Sequence, residues 1–237
     1  MQLFYSEHIE GDLVLFDEQE SLHITKVLRK EQGETIASTD GCGNRYTGHL
    51  EVFSKKKCGL RVENKETIPS PNYFGHIAIA PTKNLDRMTW FVEKSVEIGI
   101  AEITFFIAEH SERRKLKLDK IKKNMIAAMK QSNRYHLPVL NEVLTFDELV
   151  KGNSGSAGTK LIAHCNEDDE KRFMGAYVQP NTPTLVLIGP EGDFSDNEIA
   201  LAKKEGFLPI SISEYRLRTE TAALFTNNFI NFVNLAR

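Results

Sequence analysis

The chain has 237 residues, 41% hydrophobic and 27% charged, with a formal net charge of -3. That composition fits a folded globular protein large enough to bury at least one sizeable core, and it excludes a low-complexity or disordered chain. No apolar run nears the roughly 20 residues that span a bilayer, no basic-then-apolar leader opens the sequence, and Cys42, Cys58 and Cys165 match no disulfide or zinc pattern, so a cytoplasmic protein with no membrane partner and no metal is expected.

In chain order, the first 65 residues read as short strands: 13–16 is apolar, 34–38 and 46–53 alternate, and 59–62 is a further candidate. The turn-rich run Thr39-Asp40-Gly41-Cys42-Gly43-Asn44 separates two of them, and one helix is expected over 22–30. Short strands closing around one helix point to a small barrel, which leaves few exposed sheet edges. Residues 65–72, KETIPSPN, hold two prolines among polar neighbours and read as an extended connector. The expected domains are therefore 1–68 and 73–237.

Beyond the connector the pattern changes. Apolar strand-like runs at 76–80, 102–108, 160–164, 184–188 and 209–213 alternate with helical periodicity. Residues 86–98 place Met88, Phe91, Val92, Ser95 and Val96 on one face, with Gly99 as a stop. Asp119 is expected to cap a helix carrying Ile121, Met125, Ala128 and Met129. Ser195 or Asp196 should cap 197–205, ended by Gly206. The last helix, 219–235, has Leu224, Phe225, Phe229, Phe232 and Val233 as its apolar stripe. Apolar strands alternating with amphipathic helices define an α/β class with a mainly parallel sheet covered on both faces.

Charge is unevenly spread. Residues 1–72 hold 9 basic and 12 acidic side chains, whereas Ser111 to Arg134 carries nine basic against two acidic, +7 in 24 residues. Such a run is either a solvated helix face or a local field that captures phosphates.

Open parallel sheets bind ligands beyond the carboxyl ends of their strands, and three such ends carry unusual residues. They are Ala163-His164-Cys165-Asn166, the segment Leu187-Ile188-Gly189-Pro190-Glu191-Gly192-Asp193-Phe194-Ser195, and Ser211-Ile212-Ser213-Glu214-Tyr215-Arg216-Leu217-Arg218-Thr219-Glu220-Thr221-Ala222. Each alone is equally at home as a structural turn, a helix start or a surface ion pair. There is no GxGxxG after the first strand of this region, no P-loop, no HExxH and no GxSxG, which counts against a dinucleotide enzyme, an NTPase, a zincin and a serine hydrolase.

Six blocks occur in order: His23-Ile24-Thr25-Lys26-Val27-Leu28-Arg29, Lys94-Ser95-Val96-Glu97-Ile98-Gly99, Ser111-Glu112-Arg113, Gln131-Ser132-Asn133-Arg134 with Pro138, Ile188-Gly189-Pro190-Glu191-Gly192, and Arg216-Leu217-Arg218-Thr219-Glu220-Thr221-Ala222. Together they resemble the RsmE family of 16S rRNA 3-methyluridine methyltransferases, over about residues 20–225. The chain departs from the family pattern at Asp193, where a second glycine is usual, and at Ser213-Glu214-Tyr215, where a glycine is common.

The resemblance implies an N-terminal PUA-like β-barrel that binds RNA, a C-terminal SPOUT domain with a trefoil knot, S-adenosyl-L-methionine as cofactor, and a homodimer acting on 16S rRNA of the small ribosomal subunit. Carried over by position, His164, Cys165, Ile188, Gly189, Glu191, Gly192, Ile212, Ser213 and Leu217 would bind the cofactor. Arg218 would stabilise the uridine imide anion, with Glu220 orienting it or taking the proton. Arg29, Arg113, Arg114, Lys115, Gln131 and Arg134 would contact RNA. The competing readings are a SPOUT methyltransferase acting on another RNA, a non-catalytic RNA-binding adaptor, and a nucleotide-binding regulator, for which Glu191 and Asp193 make a poor anion site.

Overall fold

Strand propensity and turn chemistry shape the N-terminal part of the chain as read from the sequence, with shifts at its edges. A computed structural model describes residues 2–54, 56–70, 75–166 and 170–235. The structure divides into two compact units, the first holding residues 1–70 with 126–137 and the second the remainder.

The first unit contains β1 (Leu3–Tyr5), β2 (His8–Glu10), β3 (Leu13–Leu15), α1 (Glu18–Leu22) with a π-helical turn (His23–Val27), β4 (Thr35–Thr39), β5 (Asn44–Ser54) and β6 (Lys57–Thr67). They form one sheet in the order β1-β4-β5-β6-β3-β2, antiparallel except for β1 on β4. Ser6 shows how strongly it curls. Its N–H donates to Thr39 of β4 at 3.1 Å while its hydroxyl donates to the Leu15 carbonyl of β3, three strands away in the sheet order. Phe4, Val14, Phe16, Ile24, Ile36, Tyr46, Leu50, Cys58 and Leu60 fill the concave side.

Three expectations shift here. The helix starts earlier than 22, because Asp17 caps it by accepting from the Glu20 N–H at 2.7 Å, and it stops before 30, where Arg29 turns to a φ of 55°. β6 runs on to Thr67, so Lys65–Thr67 are ladder residues, not connector. Pro71 and Asn72 of the connector, and residue 73 at which the second domain was expected to begin, lie outside the described residues.

The second unit begins with β7 (Gly75–Ile79), α2 (Leu85–Ile98) and β8 (Glu102–Ile107). It continues through α3 (Leu118–Gln131, whose last turns group with the first unit), β9 (Val139–Leu140), β10 (Leu144–Thr145), α4 (Phe146–Gly152), β11 (Thr159–Ala163) and β12 (Arg172–Phe173). A 3-10 turn (Met174–Ala176) precedes β13 (Thr184–Ile188), α5 (Asp196–Lys204), β14 (Leu208–Ser211) and α6 (Thr219–Leu235). The strands pair throughout in parallel, in the order β10-β8-β7-β13-β11-β14-β12, with β9 also on β8. Asp119 sits inside the first turn of α3 and does not cap it. α4 was missed in the sequence, although Thr145 and Glu148 form a capping box there.

Strand alternation separates the two faces of this sheet. Ala78, Phe106, Ile162, Leu185 and Leu187 pack with Phe146, Leu149 and Val150 of α4 and Ile199 and Ala202 of α5. The other face meets α6, since a side chain at Gly75 would touch Ile230 at 3.4 Å. α2 buries the five residues expected of it. α6 does not. Its buried side is Thr219, Glu220, Ala223, Thr226, Asn227, Ile230, Asn231 and Asn234, while Phe225, Phe232 and Leu235 stand exposed and Leu224, Phe229 and Val233 are half-buried. Among the described residues no helix is long and apolar enough to cross a membrane.

Candidate active site

Because the strands are parallel, the loops after β7, β8, β11, β13 and β14 leave from one edge of the sheet. Those after β7, β8 and β11 converge on the turn that follows β13. Asp193 closes it by donating its N–H to the Pro190 carbonyl at 3.0 Å, and Ser195 then starts α5 with a capping box to Glu198. Three neighbouring loops grip it. The Lys83 N–H, after β7, donates to Glu191 Oε1 at 3.1 Å. His110 Nδ1, after β8, lies 3.1 Å from the carbonyls of both Gly192 and Asp193, and since carbonyls only accept, that nitrogen carries the proton. The Cys165 N–H, after β11, donates to Asp193 Oδ2 at 2.7 Å. Beneath the turn, Phe194 joins Phe106 and Phe146 in an aromatic trio with centroids 5.5–6.0 Å apart. Gly189 lies against that ring, where a Cβ would come to 3.0 Å.

This arrangement opens a cavity of about 700 Å³. Of the residues singled out in the sequence, it brings His164, Cys165, Ile188, Gly189, Glu191, Ile212, Ser213, Leu217 and Arg218 to one wall. Gly192 is not on the wall; it packs on His110, whose Cβ would stand 3.0 Å from a side chain at that position. Glu220 lies behind the wall, 6% exposed in the first turn of α6, and pairs with Arg87 Nε at 3.6 Å. Arg87, from α2, and Lys171 both line the cavity. Neither carried a local signal in the sequence, because an arginine inside an amphipathic helix reads as solvent-facing. Lys171 Nζ donates to the carbonyls of His164 and Asn166 at 3.0 and 2.6 Å, clasping the loop after β11.

The wall is chemically mixed. Ile188, Ile210, Ile212 and Leu217 contribute apolar surface, and the same lining includes the carboxylates of Glu191, Asp193 and Glu214 and the cations of Arg87, Lys171, Arg216 and Arg218. A ligand that is part flat and apolar and part zwitterionic suits this set better than a polyphosphate. Burial, and then the Asp193 carboxylate, push the Cys165 thiol above the usual cysteine range.

The basic candidates fall in both units. In the second, Arg113 donates to the Lys83 carbonyl at 2.7 Å through its terminal nitrogen, Arg114 donates to the Glu109 carbonyl at 3.0 Å, and Lys115 is exposed. In the first, Arg29 and Gln131 are exposed and Arg134 is half-buried. The segment after α3 is tied to the turn before β5, since Gly43 donates to the Tyr135 carbonyl and Leu137 to the Gly41 carbonyl, both at 2.8 Å.

A parallel sheet with a mixed cavity at its carboxyl edge meets a family model described as an RNA methyltransferase domain, which matches residues 70–231. A crystal structure of a probable rRNA-methyltransferase from Porphyromonas gingivalis superposes with a TM-score of 0.91 at 36% identity, covering 100% of this chain and 99% of that one. The ribosomal RNA small subunit methyltransferase E of Mesomycoplasma hyopneumoniae is 31% identical over 182 residues, 74% of this chain and 73% of that protein. The Neisseria gonorrhoeae protein of the same name, solved bound to S-adenosyl methionine, gives a TM-score of 0.85 at 25% identity over 99% of this chain and 98% of that one. The chain belongs to the ribosomal RNA small subunit methyltransferase E family.

Proposed function

We propose that this protein methylates N3 of a uridine in 16S rRNA of the small ribosomal subunit, with S-adenosyl-L-methionine as methyl donor. The observation that carries the reading is the convergence of three strand-end loops, those after β11, β13 and β14, with Arg87 of α2 on one mixed cavity whose wall includes Arg218. When bound, the cofactor supplies an electrophilic methyl group on a sulfonium. The apolar wall of Ile188, Ile212 and Leu217 suits its adenine, and Glu191 its ribose hydroxyls.

Methylation would form the N3–CH3 bond as the S–CH3 bond breaks to leave a neutral thioether. The N3 proton, whose loss frees the lone pair to attack, would pass to water at the open cavity. The chain's task is to hold the base in line with the methyl and to stabilise the negative charge that spreads to O2 and O4. Arg218, exposed at the cavity, is placed to donate to those oxygens. Glu220 pairs with Arg87 and is not on the cavity wall, so it fits the orienting of Arg87 at the cavity better than direct proton transfer. Gly192 would serve the cofactor indirectly, by letting the turn sit against His110.

In this reading residues 1–68 form the RNA-binding PUA-like domain and 73–237 a knotted SPOUT catalytic domain in a cytoplasmic enzyme. Arg29, Arg113, Arg114, Lys115, Gln131 and Arg134 contact RNA. The enzyme works as a homodimer: exposed Phe225, Phe232 and Leu235 on α6, with exposed Phe173 beside Phe229, offer an apolar stripe that a second copy would cover.

The test is transfer of labelled methyl from S-adenosylmethionine to unmodified small subunits, followed by nucleoside analysis. The expected product is 3-methyluridine; another methylated nucleoside would overturn the target. Arg218→Ala should lower kcat by about 100- to 1000-fold with cofactor affinity nearly unchanged, as for loss of one donor to a developing anion. Unchanged turnover would remove Arg218 from the chemistry.

A further inference from the structure

Asp193 stands out on the cavity edge. Its backbone has a φ of 62°, in the left-handed region that L side chains enter at a cost and glycine enters freely. Glycine would be the easier residue here, and the chain keeps a carboxylate instead.

Both oxygens of that carboxylate are engaged. Oδ1 accepts the Phe194 N–H at 2.9 Å, within its own turn. Oδ2 accepts the Cys165 N–H at 2.7 Å, from the loop after β11. Lys171 holds the same loop through the carbonyls of His164 and Asn166, so three consecutive residues of that loop, His164 and Cys165 on the cavity wall among them, are held by two charged side chains. Charge-assisted bonds of this kind are short and roughly twice as strong as neutral ones.

We propose that Asp193 is a positioning residue: it ties the turn after β13 to the loop after β11, and that tether sets the width of the cavity and so its affinity for the cofactor. The proposal rests on the reading of this cavity as the S-adenosylmethionine site. Asp193 itself need not touch the cofactor, because it acts through the position of Cys165 and its neighbours. Cys165, exposed next to the tether, is a built-in reporter of whether the loop is held, and exposed Cys42 is its internal control.

Two variants separate side chain from backbone. Asp193→Gly keeps the left-handed turn without strain and removes the tether; Asp193→Asn keeps the turn and an acceptor oxygen but removes the charge. The full-length protein would be titrated with S-adenosylmethionine by calorimetry, assayed for kcat and cofactor KM, and alkylated with iodoacetamide followed by peptide mapping. Asp193→Gly should weaken cofactor binding and raise cofactor KM about tenfold, the worth of one charge-assisted hydrogen bond, with the rise in KM exceeding any fall in kcat at saturating cofactor. Compared at a pH above the Cys165 midpoint in every variant, so that the thiolate fraction is equal, alkylation at Cys165 should quicken relative to Cys42, and Asp193→Asn should fall between wild type and Asp193→Gly on both readouts. The pH midpoint of Cys165 alkylation, raised in the wild type by burial and then by Asp193, should move down in both variants. Wild-type affinity with an unchanged Cys165 to Cys42 ratio in Asp193→Gly would overturn the proposal, as would a loss confined to kcat. If the wild type itself fails to bind S-adenosylmethionine, the reading of the cavity falls, while the alkylation ratio still decides whether the tether exists.

Discussion

Helices α2 and α6 pack against each other in one unit, yet they follow opposite rules. α2 buries Met88, Phe91, Val92 and Val96 and is amphipathic in the ordinary sense. α6 buries asparagines and shows phenylalanines to the outside. The asparagines have work there: Asn231 Nδ2 donates to the Gly99 carbonyl at 2.5 Å, at the very end of α2, and to the Asn227 carbonyl at 2.9 Å. Asn234 Oδ1 accepts the Asn181 N–H at 2.8 Å. So α2 is held mainly by area removed from water, and α6 also by directed bonds to the Gly99 carbonyl and the Asn181 N–H. A face chosen for directed bonds frees the apolar residues of α6 for another surface.

The contrast can be broken by substitution. Removing the core side chain of α2 with Phe91→Ala should have the largest effect, about 3–5 kcal/mol in denaturant unfolding, the usual cost of emptying a buried aromatic site. Asn231→Ala should cost about 1–3 kcal/mol, since it leaves the buried Gly99 carbonyl without its donor. A cost near zero would mean that the polar face of α6 is incidental. Phe232→Ser, at a side chain 65% exposed, should change the unfolding free energy of the isolated chain by no more than about 0.5 kcal/mol. The same variant should shift sedimentation from dimer towards monomer; a sedimentation profile identical to wild type would remove the stripe from the proposed dimer contact.

The same contrast explains what could be read in advance. Five of the eight described strands of the second unit were legible to within two residues, because a sheet buried on both faces demands continuous apolar runs such as Thr184–Ile188. The two-residue β9, β10 and β12 gave no such run. α2 and the bounds of α6 were legible for the same reason. The inward face of α6 was not, since periodicity marks where apolar residues lie and is silent on whether they meet the core or a neighbour. β1 and β2 were missed although β3, equally short, was read, because three residues carry too little alternation to mark a strand dependably. At the cavity, the glycine turn and the arginine pair announced themselves by unusual residues at strand ends. Arg87 and Lys171 did not, because what places them there is tertiary packing.

The grip on the turn after β13 has a consequence for biogenesis. Lys83 and Glu191 are 108 positions apart, and His110 and Gly192 are 82 apart. A chain emerging from the ribosome can build α2 and β8 early, but it cannot complete the cavity until residues near 190 have been synthesised. The segment 210–222 must follow to close the wall. Nascent chains and truncation products should therefore acquire ligand affinity late and abruptly, which makes cofactor binding a readout of complete synthesis and folding.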